Sequence, residues 1–308
     1  MRLLVTGGAG SLGSNFIEHV ADRCEAVVVI DNFATGKRAS LLPLTNLEIV
    51  EGSITDTNLV ATTLQRFAPT HVVHAAASYK NPNDWVTDAE VNIVGTINVV
   101  RASEAAKVKR FVNLQTALCY GRPNTVPIPV DHPTAPFTSY GISKTAGEAF
   151  VAASRLSWVS LRLANVTGPR LAIGPIPAFY KKLKLGEPCT VSTAIRDFLD
   201  MSDFLSLMDR VLGGKETGTF NVSTGEGHAI EEIFHLVANH FGMTDAQPAA
   251  VVEPGVDDVA AVILDPTRTM NAFNWSAHIG FEETILRMLH WYDKHGVTDV
   301  YSHLQAKQ

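Results

Sequence analysis

The sequence predicts a doubly wound α/β fold, a parallel sheet with helices on both faces followed by a smaller α/β lobe, and three observations carry that prediction. Apolar runs rich in β-branched residues recur through the first half of the chain, continuous rather than alternating, as suits strands covered on both faces. Segments with apolar residues at helical spacing separate these runs, which is the alternation of a doubly wound sheet. The first run passes straight into a glycine-rich turn and then an amphipathic helix.

Strands are expected at Leu3 to Thr6, Ala26 to Ile30, Leu47 to Val50, His71 to His74, Arg110 to Leu114 and Trp158 to Leu161. Helices are expected near Ser11 to Asp22, Asp56 to Phe67, Asp84 to Lys107 and Ser139 to Ser154. The character changes after Leu163, where Gly168, Pro169, Gly174, Pro175 and Pro177 break the alternation before a short helix near Phe179 to Leu185. A second lobe begins there. Phe198 to Leu212 reads as a helix and Thr219 to Val222 as a strand rejoining the sheet, and the polar tail after Val297 is expected to fray. The organisation is then a first domain over 1–165 and a smaller lobe over 166–308, with 198–222 returning to the sheet.

The turn after the first strand has the residues a dinucleotide needs. Gly7 can take backbone angles a side chain would forbid, Gly10 lets the backbone approach a pyrophosphate, and Gly13 lets the new helix pack near the strand. The amide-rich start of that helix, at Ser11 and Leu12, faces the phosphates. Asp31 closes the second run about twenty residues on, where a carboxylate accepts hydrogen bonds from an adenosine ribose. Its charge would repel a 2′-phosphate and Asn32, not an arginine, follows it, so NAD is expected over NADP. A Rossmann sheet binding NAD is the reading.

The 308 residues are 46% hydrophobic, ample for a large core, and no apolar stretch approaches a membrane span. A net charge of −6 with mixed signs argues against a nucleic-acid surface. Cys24, Cys119 and Cys189 are scattered, with no paired spacing for zinc or a disulfide framework, so no metal and a reducing cytoplasm are expected. The long Asp84 to Lys107 segment and the Ser139 helix offer two faces for a four-helix contact between two copies.

Tyr140 and Lys144 lie four apart on a helix, so both side chains emerge on one face. A phenol becomes a base near neutral pH only beside a cation, and a lysine one turn away is expected to lower its pKa. Alone, the pair reads equally well as a surface contact; its place after the fifth strand, where ligands sit in this fold, gives it weight. Thr116 stands just past that strand, where its hydroxyl can donate and accept. His74 reads as a packed, hydrogen-bonded histidine and Cys119 as an inert thiol. Lys80 reads as either a substrate contact or a solvated loop residue.

Taken together, TGGAGSLG with Asp31, HAAA at His74 to Ala77, Asn92 in VNIVGT, Thr116 with Tyr120 and Gly121, and the Tyr140/Lys144 pair resemble the extended short-chain dehydrogenase/reductases. Nucleotide-sugar epimerases and dehydratases are the nearest group. RLANVTGP at Arg162 to Pro169, RDFLDMSDF at Arg196 to Phe204 and FNVSTGEG at Phe220 to Gly227 extend the resemblance over nearly the whole chain, towards proteins of lipopolysaccharide O-antigen clusters that process UDP-linked sugars. It implies Thr116, Tyr140 and Lys144 as the catalytic triad. It also implies cofactor contacts from Gly36, Ser53, Ile54, Ala75, Ala76, Asn92, Tyr140 and Lys144, with substrate contacts from Lys80, Thr116, Asn165 and Arg196, the last at the diphosphate. Separately from the resemblance, the two helix faces named above lead to the expectation of a homodimer.

The departures from the pattern are specific. Sugar-nucleotide 4,6-dehydratases carry an Asp-Glu pair after the residue resembling Thr116, and here Ala117 and Leu118 stand there, neither able to transfer a proton. Carbon-4 epimerisation of a UDP-hexose derivative needs neither carboxylate and is expected; a dehydratase or 4-keto reductase is the enzymatic alternative, and a cofactor-sensing regulator the non-enzymatic one. Ser53 replaces an aspartate that contacts adenine in many relatives, and Glu253 precedes Pro254 and Gly255 where UDP-galactose epimerases usually offer an arginine.

Overall fold

A computed structural model describes residues 1–297 and 300; the tail expected to fray after Val297 lies, but for Val300, outside the described residues. The first half runs β1 (Arg2–Thr6), α1 (Ser11–Val20), β2 (Ala26–Asp31), β3 (Leu47–Glu51), α2 (Thr57–Phe67), β4 (His71–His74), α3 (Trp85–Ala89), α4 (Thr96–Ala105), β5 (Arg110–Thr116), α5 (Ser139–Ala152) and β6 (Trp158–Leu163). The second half runs β7 (Asn165–Thr167), α6 (Pro175–Lys184), β8 (Thr190–Ser192), β9 (Ile195–Arg196), β10 (Phe198–Asp200), α7 (Met201–Gly213), β11 (Gly218–Val222), β12 (His228–Ala229), α8 (Ile230–His240), β13 (Ala250–Val252), β14 (Ala261–Val262), α9 (Thr267–Phe273) and α10 (Phe281–His295).

Among the described residues seven strands form the main sheet in the order β11-β6-β5-β4-β1-β2-β3, each pairing with its neighbours in parallel. Strand order reverses between β1 and β4, and the crevice beyond their carboxyl ends is where such sheets hold ligands. Neighbouring residues of one strand serve opposite cores: Leu3, Val5, Val27 and Val29 pack with Phe16, Phe204 and Leu207, and Leu4, Val28 and Ile30 pack with Val60, Leu64 and Val99. This double burial is why the strands read as unbroken apolar runs. A separate core of Phe179, Tyr180, Phe234, Val237, Ile285 and Met288 joins α6, α8 and α10.

Two segments depart from expectation. Phe198–Asp200 is a strand paired with β7 outside the main sheet, not the start of a helix. The helix begins at Met201, because the Asp200 carboxylate accepts from the Ser202 amide at 2.7 Å and caps it. The long Asp84 to Lys107 segment ends at Ala105 and contains a π-turn over Glu90–Gly95. There Thr96 Oγ1 donates to the Asn92 carbonyl at 2.7 Å. A Cβ on Gly147 would meet that carbonyl at 2.4 Å, so glycine is what lets α5 lie against the turn.

Candidate active site

The dinucleotide turn is shaped by what a side chain would strike. Gly7 has φ +67°, and a Cβ on it would lie 2.6 Å from Ala76 Cα. A Cβ on Gly13 would lie 2.5 Å from the Gly7 carbonyl oxygen, and one on Gly36 2.7 Å from the carbonyl carbon of Ala9. At Gly10 the only near atom is the Gly7 oxygen, at 3.4 Å, so the space above that backbone is open. Amides at the start of α1, from Ser11 and Leu12 onward, point into that space with no helical carbonyl to accept them. Asp31 ends β2 with Oδ2 accepting from the Ala9 amide and Oδ1 from the Phe33 amide, both at 2.8 Å, which fixes its carboxylate at the rim. Asn32 Oδ1 caps the next turn through the Ala34 amide at 3.1 Å. On the other side the Ala75 amide donates to the Thr6 carbonyl and the Ala76 amide to the Thr6 hydroxyl. Ser53 Oγ accepts from Thr55, and Ile54 is buried against Gly95. This open glycine floor, helix start and fixed carboxylate suit a pyrophosphate and a ribose diol, so the residues present fit NAD.

Thr116 closes β5, and its hydroxyl accepts from the Leu118 amide at 3.2 Å and lies beside the Tyr140 phenol, where it favours the phenolate. Thr138 caps α5 by accepting from the Gly141 amide at 3.1 Å, a bond of about 1 kcal/mol to the helix that carries Tyr140 and Lys144. Lys144 is buried, and its Nζ donates to the Leu114 carbonyl at 2.8 Å. Burial lowers its pKa to about 8. Burial, the nearby Tyr79 and the negative charge of Asp88 push the Tyr140 phenol up, and the Thr116 hydroxyl offsets only part of that. In the cofactor-free chain the ammonium is turned to a strand carbonyl and desolvation dominates at the phenol. Asn92 is buried with its amide exchanging bonds with Ser78 backbone and donating to Ser143 Oγ at 3.0 Å, so it braces the first turn of α5 behind Tyr140.

Farther out, Lys80 is exposed on the loop after β4. Asn165 is exposed on β7, with Nδ2 donating to the Asp197 carbonyl at 2.9 Å. Arg196 is mostly buried and bonded to Asp258, a partner the sequence did not reveal. Asp197 is fully buried and clamps the turn after β11 by accepting from the Thr224 amide and hydroxyl and the Gly225 amide at 2.8–3.0 Å. Glu253 accepts from the Thr193 hydroxyl at 2.9 Å. Also unread from sequence is the docking of the Pro169 carbonyl on α1, where Ser11 Oγ and Asn15 Nδ2 donate to it at 3.0 and 2.9 Å. Asp88, buried beside Tyr140, carries no short-range signal in the sequence.

His74 is fully buried between Thr6 and Thr96, with ring contacts of 2.7 and 2.9 Å, and its pKa is pushed down to about 3 by burial. It is a packed neutral histidine. The Cys119 thiol is buried and pushed up to about 12, so it is inert at neutral pH.

Comparison with known proteins gives a consistent answer. The enzyme WbmG of Bordetella bronchiseptica, solved in complex with NAD, superposes with a TM-score of 0.93 at 60% identity, covering 99% of this chain and 98% of that one. A second WbmG structure, with NAD and UDP, is 59% identical over the same shares with a TM-score of 0.92. The Thermus thermophilus UDP-glucose 4-epimerase complex with NAD is 31% identical over 96% of this chain and all of that chain, with a TM-score of 0.86. Among curated proteins the UDP-glucose 4-epimerase of Corynebacterium glutamicum is 29% identical over 94% of this chain and 93% of its own length. Residues 3–223 match the NAD dependent epimerase/dehydratase family, and the chain belongs to that family.

Proposed function

We propose that this NAD-dependent nucleotide-sugar epimerase inverts carbon 4 of a UDP-linked hexose derivative, in the cytoplasm and as a step towards a surface polysaccharide. The observation that carries the reading is the Thr116–Tyr140 pair at the end of β5, joined to a 3₁₀ turn of Ala117–Tyr120 that has no carboxylate. NAD held on the glycine floor supplies a reversible hydride acceptor and a positive charge. Tyr140 takes the proton of the substrate hydroxyl and returns it to the same oxygen after the sugar has turned. Thr116 donates a hydrogen bond to that oxygen while it is a carbonyl, and Lys144 holds the nicotinamide ribose. Arg196 meets the diphosphate, leaving Asp258 as it does so, and Asn165 and Lys80 line the way in.

UDP is the nucleotide bound in the WbmG complex named above, which supports the same choice here. The buried, unbridged Cys24, Cys119 and Cys189 agree with a reducing compartment. A homodimer is part of the proposal, supported by Trp85 and Val86 on α3 at 69% and 68% exposure and by exposed Ile142 and Phe150 on α5, an apolar face across two neighbouring helices. A monomer in sedimentation at micromolar concentration would remove that part.

Elimination of water is the competing reading, and it would need an acid in the sugar pocket; Asp257 lines the cavity beside Tyr140 from the second lobe. Mass spectrometry and proton NMR on products from UDP-hexoses, UDP-N-acetylhexosamines and UDP-uronates decide between them. The expected result is an isomer of equal mass with no external nicotinamide consumed. A dehydrated product, or net reduction, overturns the epimerase assignment.

A further inference from the structure

Asp88 is a carboxylate buried to 1% exposure at the end of the substrate pocket, and the mechanism above makes no use of it. It lies on α3, which Asp84 caps by accepting from the Thr87 amide at 3.2 Å. Its two oxygens are divided between two other elements. Oδ1 accepts from Ser78 Oγ, on the loop after β4, at 2.8 Å, and Oδ2 accepts from Ser139 Oγ, the first residue of α5, at 2.7 Å. Ser139 immediately precedes Tyr140. Asn92, one turn along from Asp88, completes the set by holding both Ser78 backbone groups and Ser143, whose Oγ donates to the Tyr140 carbonyl at 3.1 Å. Two residues at helical spacing therefore grip the β4 loop and the first turn of α5 together.

We propose that Asp88 is a positioning residue that sets both the placement of Tyr140 and the pH at which its phenol gives up its proton. The inference rests on the reading of Tyr140 as the acid–base group, and it goes beyond that reading by assigning its control to a carboxylate outside the triad. The geometry gives Asp88 a place at the amino end of a fourteen-residue helix, where a negative charge is favoured by the helix dipole. The same charge lies in a small cavity with Tyr79, Thr138, Ser139 and Tyr140. A negative charge opposes formation of a second one close by, and Asp88 is among the groups that push the phenol up. The other charged or titratable groups around the phenol are Tyr79 on the β4 loop, its ring centroid 5.8 Å from that of Tyr140, Asp257 from the second lobe, and Lys144 one turn along α5. Asp88 is tied by hydrogen bond to Ser139, the residue next to Tyr140. The consequence is a phenol held protonated until a positive charge enters the crevice, so that proton abstraction is confined to the loaded site.

The test separates charge from hydrogen bonding and uses the holoenzyme. Asp88→Asn keeps the shape and an acceptor but removes the charge; Ser139→Ala keeps the charge and removes one bond. Ultraviolet difference titration of tyrosinate, corrected with Tyr140→Phe, reads the phenol without needing a substrate, and the acid limb of the pH–kcat profile reads it during turnover. Asp88→Asn is expected to move both to lower pH by about one unit, a tenfold change in phenolate fraction, with KM for the nucleotide sugar changed less than about twofold. Ser139→Ala is expected to lower kcat without moving the titration downward. A Tyr140 titration in Asp88→Asn that coincides with the unaltered protein overturns the proposal. A shift in the titration with no epimerisation of any sugar nucleotide supports the proposal and refutes the proposed function instead.

Discussion

The two ends of the active-site crevice are built on different principles. At the cofactor end the shape is set by what cannot be there: side chains at positions 7, 13 and 36 would strike backbone within 2.8 Å, and the strand ends that flank them are fixed by the sheet. At the proposed sugar-nucleotide end it is set by polar groups that satisfy one another, the ion pair of Arg196 with Asp258 and two carboxylates that accept from neutral donors, Asp197 from the Thr224 turn and Glu253 from the Thr193 hydroxyl. Steric exclusion is local and leaves a glycine in the sequence. Polar pairing is long-range, joins residues about sixty apart in the cases of Arg196 and Glu253, and leaves only ordinary arginines, threonines and carboxylates.

The contrast can be tested from its largest effect downward. Tyr140→Phe, at the meeting point of the two ends, should lower kcat by about 10³-fold while NAD content and melting temperature stay near those of the unaltered protein; a loss under tenfold would move the acid–base work elsewhere. Gly13→Ala tests the steric end. The added methyl must displace the Gly7 carbonyl or the Gly8 backbone, at a cost of about 2 kcal/mol, and the purified protein should carry little nicotinamide by absorbance. Arg196→Ala tests the charged end. It should raise KM for the nucleotide sugar roughly tenfold or more with NAD content unchanged, and an unchanged KM would remove Arg196 from the diphosphate.

The smallest effect lies in pH. The Lys144 pKa is lowered to about 8 by burial, so the folded state bears a penalty while the ammonium is protonated, and that penalty is relieved as pH rises from about 8 towards the unfolded value. The Tyr140 phenol is raised, so its contribution is lost only above the ordinary phenol range. Cofactor-stripped protein should therefore gain about 1 kcal/mol from Lys144 between about pH 7.5 and 9.5, read as a rising urea midpoint that Lys144→Met flattens. Parallel curves for the two proteins would contradict it.

What could be read from the sequence follows the same division. The strand–glycine–helix start, Asp31 at the second strand end and the one-turn spacing of Tyr140 and Lys144 are short-range patterns, and the elements that carry them form where the periodicity places them. The π-turn at Glu90–Gly95 left no mark in the periodicity, since it needs only one extra residue per turn and is held by the packing of Gly147 on the Asn92 carbonyl. Asp88 and Asp258 matter through partners distant in the chain, Ser139 and Arg196, which only the fold brings near. Where the Lys144 ammonium turns is illegible for a related reason: a spacing of four fixes the helix face but not the direction of a flexible ammonium, and Leu114 offers it a carbonyl.

The docking of the Pro169 carbonyl on Ser11 and Asn15, with Arg170 at φ +67° reaching Asn15 at 3.0 Å and Glu18 beside it, bears on how such proteins can be recombined. A chimera that grafts the second lobe of a relative onto this first domain at Leu163 would inherit the arriving loop but not the helix surface that receives it. Positions 11, 15 and 18 belong by chain order to the donor of the glycine turn and by contact to the donor of the lobe. They must travel with the lobe for the graft to seat, which makes α1, rather than the inter-lobe connection, the true boundary for exchange.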